Sequence, residues 1–239
     1  MRAIAIETSG LLGSIATVEN GQVLTEEEFP HDFKHAAGVI AAIDRLTQSH
    51  AWTPRDLNEV YVSAGPGSFT GLRVGITVAK TLAFSLGAKL VAVPSAEVLA
   101  HNAYEGWQNA IIVLDAKRGQ IFTARYRNEN GQPIEAEEAH LDTLAAMLAR
   151  SPRPVQLIGD GIPYHQSSIP TDDPGVIVLP KPLWRPRARV VAEIGARMSA
   201  ADQFTDPDQL TPLYIRRPEA EEKWEQVHRQ RESNAHGSR

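Results

Sequence analysis

The stretch Ser63-Ala-Gly-Pro-Gly-Ser-Phe-Thr-Gly-Leu-Arg-Val-Gly75 places four glycines in thirteen residues. It lies between an apolar run, Val60-Tyr-Val62, and a segment of helical periodicity that ends near Leu86. A strand entering a helix through glycines is one way to build a phosphate cradle, because the first amides of a helix lack intrahelical partners. Two phosphate patterns do not fit. A Walker loop needs Gly-Lys followed by Ser or Thr at the helix start, whereas this loop ends Thr70-Gly71-Leu72, and Lys80-Thr81 lacks the glycine and sits inside the helix. The dinucleotide pattern also fails: Gly65, Gly67 and Gly71 leave one residue too many, and no acid ends the next strand, Lys89 to Val93. Two readings remain, direct anion binding at the helix N-terminus and a tight turn at Gly65, Gly67 and Gly71 that lets the helix pack close to its neighbours.

The helix itself is unusually apolar. At about 100° per residue, Val74, Val78, Leu82, Gly75, Leu86, Ala79, Leu72, Ala83 and Ile76 cover an arc of about 200°, roughly twice the stripe that buries one face. Such a helix calls for two partners. It is either sandwiched within its own domain, or packed on a sheet with one side and on another protein with the other.

Outward from this segment the chain alternates strands and helices, which predicts an α/β fold with a partly parallel sheet. Val39, Ile40, Ile43 and Leu46 share one helical face upstream of it. At the start, Ile4-Ala-Ile6 runs to Glu7, and after Thr8-Ser9-Gly10 a second strand-like run leads to Asn20-Gly21, a hairpin signal. The grammar returns at Ile111-Ile-Val-Leu114, which ends at Asp115, passes through Ala116-Lys-Arg-Gly119 and resumes as a strand that turns at Asn128 to Gly131. Two strand-acid-turn-strand units predict a duplicated architecture. Prolines gather between Pro152 and Pro186, so the second half reads as smaller and less regular, and the residues from Glu219 read as a charged tail.

Composition bounds the function. With 24 basic and 29 acidic side chains, a net charge of −5 gives no bulk attraction to nucleic acid. The absence of cysteine excludes disulfides, thiolate metal sites and a cysteine nucleophile. The apolar run at the N-terminus is short for a signal peptide, and no stretch matches a membrane span, so a soluble cytoplasmic protein is expected.

Candidate chemistry is sparse. Glu7 and Asp115 stand at strand ends, where carboxylates can act as bases, orient magnesium or simply form turns, and Thr8 and Ser9 could line a phosphate turn. His31 and His35 have the i, i+4 spacing of a helical zinc pair but lack the glutamate of the His-Glu-x-x-His motif, and Pro30 places the helix start here. The other histidines read as scattered surface residues. The basic stretch Lys181 to Arg189, with Trp184, could touch RNA phosphates or be a solvated connection.

Taken in order, Ile4-Ala-Ile-Glu-Thr-Ser9, the glycine-loop segment Ser63 to Gly87, Val91 to Ala100, Val113 to Tyr126 and Leu213 to Ala220 resemble the TsaB (YeaZ) family over nearly the whole chain. The resemblance implies two ribonuclease H-like lobes of the actin, sugar kinase and Hsp70 superfamily, the second smaller. The expected division is 1–101, 102–218 and a tail of 219–239. It also implies a function: a noncatalytic subunit that dimerises with TsaD and, with the ATPase TsaE, serves threonylcarbamoylation of the adenosine next to the anticodon in tRNAs reading ANN codons. ATP and metal are then expected on partner subunits, tRNA is met indirectly, and a homodimer is expected when TsaD is absent.

The metal-binding paralogue TsaD carries a His-x-x-x-His pair where this chain has Ser95 and Leu99. The second-lobe segment reads Asp115-Ala-Lys-Arg-Gly119 in place of an Asp-Gly-Gly phosphate loop, and Glu7 stands where Asp is commoner. In the family the first two helices form the docking surface, here residues 34–49 and 68–87. That carry-over makes Val74, Thr77, Val78, Thr81, Leu82, Ser85, His35 and Val39 the expected interface. The glycine loop is then a pivot for that helix. The competing readings are an active nucleotide- or metal-dependent enzyme using Glu7, Thr8 and Asp115, a protease, and a dinucleotide-binding domain.

Overall fold

A computed structural model describes residues 1–30 and 36–213. The expected sites at His31 and His35 and the charged tail lie outside the described residues. In the first lobe, β1 (Arg2–Glu7), β2 (Leu12–Glu19), β3 (Gln22–Pro30), β4 (Glu59–Ser63) and β5 (Lys89–Val93) form one sheet in the order β3-β2-β1-β4-β5. β1 pairs antiparallel with β2, Ile6 facing Ile15, and parallel with β4, while β4 runs parallel to β5. This is the ribonuclease H-like order.

The alternation in β1 decides what covers each face. Ile4 and Ile6 enter a core with Val39, Ile43 and Leu46 of α1 (Ala36–Ser49) and Ile76, Val78 and Ala79 of α2 (Phe69–Leu86). Ala3 and Ala5 point the other way, against Ala188, Val191 and Ile194 of α5 (Ala188–Ala200). With both faces covered, the middles of the central strands are apolar on both sides, as buried parallel strands require, and polar residues stand only at their ends.

The second lobe repeats the plan. β6 (Asn109–Ile112) and β7 (Leu114–Asp115) follow one another along β8 (Ile121–Glu129), which also pairs with β9 (Gln132–Asp142), while β10 (Val155–Ile158) and β11 (Val176–Val178) lie parallel beyond β6. Val113 separates β6 from β7 yet donates its amide to Ile158 O at 2.8 Å. Taken as one strand, β6 and β7 give the same order and the same strand senses as the first sheet. Both hairpins turn on Asn-Gly with both residues at positive φ, Asn20 at 52° and Gly21 at 79°, Asn130 at 54° and Gly131 at 83°, the geometry that matches strand twist. The predicted duplication is therefore present, and the second sheet is complete. Its irregular part is confined to the short turns and 3-10 segments between β10 and α5.

The lobe boundaries differ from the expectation of 1–101 and 102–218. α5 returns to the first sheet, and the chain after it stays there: Thr205 N donates to Leu90 O and Leu213 N to Ala64 O, each at 2.8 Å. A compact second lobe therefore ends before Ala188. α3 (Ser95–Ala100) joins the two, with Val98 in the core under α5 and Ala96 and Leu99 in the core of the second sheet together with Ile112, Ala124 and Tyr126. α4 (Leu144–Arg150) covers the other face of that sheet through Leu144, Met147 and Leu148.

Candidate functional site

Two places carry the candidate residues, the cleft between the lobes and the outer face of α2. At the cleft, Glu7 ends β1 with its side chain wholly buried. Its Oε1 accepts the Ser9 amide at 2.5 Å and the Ser9 hydroxyl at 2.6 Å, and Ser63 Oγ donates to Oε2. Burial pushes the carboxyl above the usual range, against these bonds, which favour the ion. Glu7 thus supports the Thr8–Gly10 loop from beneath rather than facing the cleft. Thr8 Oγ1 donates to Gly71 O at 2.8 Å, and Ser68 N to Ser9 O at 2.7 Å. A Cβ on Gly67 would stand 2.5 Å from Ser9 O, and one on Gly71 would overlap Thr8 O. Gly67 and Gly71 are there to let the start of α2 lie against that loop, which is the tight-turn reading. Gly65, at φ 109°, makes the bend that precedes it.

Asp115 approaches the same cleft from the second lobe. Its Oδ1 accepts Lys117 N at 3.1 Å and lies 3.3 Å from His165 Nε2, and Lys117 Nζ donates to Oδ2 at 2.6 Å. Burial opposes ionisation of Asp115, but the Lys117 bonds and charge, with His165, outweigh it and hold the carboxyl below its usual range. The turn that carries Lys117 is held at positive φ over Lys117, Arg118 and Gly119 (62°, 55° and 74°), tied by Gln120 N to Lys117 O at 3.0 Å. Asp160, after β10, is pushed upward by burial and by Asp115. Ser9, Gly67, Ser68, Asp115, Lys117, Asp160 and Tyr164 line a cleft of about 370 Å³.

The structure brings Asp115 to this cleft and leaves Glu7 and Thr8 behind its wall. Sequence reading missed Lys117 and Asp160 as cleft residues and His165 as the partner of Asp115. His165 is buried, at 6% exposure, and not a surface residue. The Gly159-Asp160-Gly161 signal at the end of β10 marks a loop that could have been found by its likeness to the other strand ends.

Ser95 and Leu99, expected to stand where the paralogue has histidines, are both buried. Ser95 Oγ accepts Gly65 N at 3.1 Å, and Leu99 packs in the core of the second sheet. Among the described residues no group of three or more His, Cys, Asp or Glu could hold a metal ion.

On α2, Ser68 caps the N-terminus through its hydroxyl and Gly87 closes the helix in the left-handed region. The expected interface residues separate into two sets. Val39 and Val78 are 1% and 3% exposed and belong to the lobe's own core, because α1 and the sheet fill the wide apolar arc. That corrects their place in the expected interface: the second partner of the arc is largely α1. Ile40, expected on the buried face, is 51% exposed. Val74 and Leu82 are half-buried, whereas Thr77, Thr81 and Ser85 face outward. Thr81 Oγ1 donates to Thr77 O at 2.8 Å and Ser85 Oγ to Thr81 O at 2.7 Å. With these hydroxyls bonded back to the backbone, the face presents small, weakly polar side chains, flanked by Phe84 at 58% exposure.

Residues 32–169 match the family model described as TsaD, tRNA N6-adenosine threonylcarbamoyltransferase. A tRNA threonylcarbamoyladenosine biosynthesis protein TsaB from Bacillus subtilis is 34% identical over 231 residues, 94% of this chain and 98% of the relative. The protein of that name from Escherichia coli is 30% identical over 55% of this chain and 58% of its own length. YeaZ from Pseudomonas aeruginosa superposes with a TM-score of 0.74 over 89% of this chain and 99% of that one at 21% identity, a likeness of fold. Matched along nearly its full length in sequence and architecture, the chain belongs to the TsaB (YeaZ) family.

Proposed function

We propose that the protein acts in tRNA threonylcarbamoyladenosine biosynthesis as a noncatalytic subunit that docks on a TsaD-type catalytic partner through the outer face of α2 and the adjoining part of α1. The observation that carries this reading is the face itself, Thr77, Thr81 and Ser85 with Phe84 beside them and Ile40 exposed on α1. Small residues let two helices approach closely, and an exposed aromatic supplies an anchor. The cleft supports the noncatalytic part: the amides of Ser9, Ser68 and Lys117 are bonded within the chain, and Lys117 Nζ is held by Asp115. In this reading a TsaE-type ATPase and tRNA are met through the complex, and a second copy occupies the face when the partner is absent.

Reconstituted modification of tRNA with purified TsaD, TsaE, threonylcarbamoyl donor and ATP tests it. Product formation should require this chain, and the chain alone should hydrolyse no ATP. Full activity without it, or ATP turnover by the chain alone, would overturn the proposal.

A further inference from the structure

A second concavity, of about 400 Å³, uses none of the cleft groups described above: it is built by Pro94 and Glu97 at α3, Tyr126 of β8, Gln132 to Glu135 of β9 and Arg197 of α5. It sits where the first lobe's α3 and α5 meet the second lobe's long hairpin. Its walls are apolar, from Pro94, Pro133 and the exposed Ile134.

The polar groups in it are unevenly matched. Glu97 pairs with Arg197, which also donates to Gln132 Oε1 at 3.0 Å. Glu135 is exposed at the mouth of the hollow and has no ion-pair partner among the described residues; partial burial of its carboxyl and the charges of Glu138 and Glu97 push it upward. Tyr126 is 2% exposed, yet among the described residues its hydroxyl makes no hydrogen bond, and what acts on it is burial and the charges of Glu135 and Glu97. The Tyr126 hydroxyl is not itself fully buried, so it is open to the hollow that Tyr126 lines. Here an unpartnered hydroxyl and a free carboxylate share one hollow, with apolar walls leading to them.

We propose that this hollow binds an organic cation, an alkylguanidinium or alkylammonium group, with Glu135 as its counter-ion, the Tyr126 oxygen accepting one of its N–H bonds, and Pro94, Pro133 and Ile134 covering its aliphatic stem. Long basic side chains bury their stems on apolar surface in this manner while the charged head finds its partner. Charge-assisted bonds are the strong ones, and a cation removes the repulsion between Glu97 and Glu135. The source is either a free amine of this kind or an arginine side chain presented by a peptide.

Propylguanidinium and the capped peptide acetyl-Gly-Arg-Gly-amide, titrated into the full chain and followed by NMR, test the site and separate the two sources. Neutral propylurea is the control of equal shape. Saturable shifts centred on Tyr126, Ile134 and Glu135, with Kd of about 1 mM or tighter and absent with propylurea, support the proposal. The tighter of the two ligands names the source. Glu135→Gln should weaken binding about tenfold or more. Tyr126→Phe should weaken it severalfold without lowering the thermal midpoint, since it removes an oxygen that holds nothing else in the fold. No saturation with either cation, equal binding of propylurea, or unchanged affinity in both variants would overturn it.

Discussion

Gly71 shows how much one missing methyl group decides. The Thr8 carbonyl occupies the space where its Cβ would stand, and Thr8 Oγ1 bonds back to the Gly71 carbonyl, so strand end and helix start are held as one unit. Gly71→Ala should lower unfolding free energy by about 1–3 kcal/mol, the range for an overpacked core, read as a lower urea midpoint. A change of the same kind at an exposed helical site would be close to neutral. The glycine spacing in the sequence excluded two phosphate motifs but left open what the glycines approach; that depends on a loop more than fifty residues upstream. For the same reason Asp115 was legible as a strand-end acid, while its partner His165 was not. The two are 50 residues apart and meet only once β10 lies beside β6.

Another residue-scale outcome concerns pH. Arg150 donates to Glu137 at 2.6 and 3.0 Å and pairs with Asp142 at 2.6 Å, with His140 beside them. The Arg150 bonds hold Glu137 below its usual range. Burial opposes the same shift at Asp142, but the Thr143 amide and Arg150 outweigh it. Both carboxyls bind protons less readily in the folded chain than in the unfolded one. Their contribution is therefore complete above the ordinary carboxylate range and is lost as pH falls through the lowered native values. Their share of the urea midpoint should be lost as pH falls below about 5, and Arg150→Gln should flatten that part of the profile. An unchanged pH profile in the variant would mean that the network adds nothing to stability.

At the scale of elements, α2 was legible in length and position and misleading in its apolar arc. Its predicted extent agrees with Phe69–Leu86. The arc of about 200° correctly called for two partners, but periodicity does not say that one of them is α1 of the same lobe. Val78 and Thr77 are adjacent in sequence and opposite in consequence. Val78→Asp buries an unpaired charge in the core and should cost about 4 kcal/mol or more, visible as loss of the cooperative thermal transition. Thr77→Arg and Phe84→Asp alter exposed positions and should stay within about 0.5 kcal/mol of the parent. If either surface change unfolded the chain, the helix would not be oriented as described.

The whole molecule is two copies of one plan joined by α3 and braced by α5. The hairpins with their Asn-Gly turns made the duplication readable, because strand alternation and turn chemistry are local. The return of α5 to the first sheet was not readable. Its apolar face would suit either lobe, and the surface that receives it, Ala3 and Ala5 of β1 with Ala16, Val18, Tyr61, Val91 and Val93 of the neighbouring strands, forms only when the first sheet is assembled. The family resemblance added what local physics does not contain: a partner, a pathway and the helices expected to meet that partner. The central claim is that this fold presents α2 to a TsaD-type subunit.

Size-exclusion chromatography with light scattering tests that claim most directly, using this protein, its Thr77→Arg and Phe84→Asp variants, and TsaD from the same organism, each alone and mixed. The account predicts a one-to-one complex with the parent chain and at least a tenfold loss of affinity, about 1.4 kcal/mol, in variants whose thermal transitions are unchanged. No complex with the parent, or a complex of equal strength with both folded variants, would contradict it.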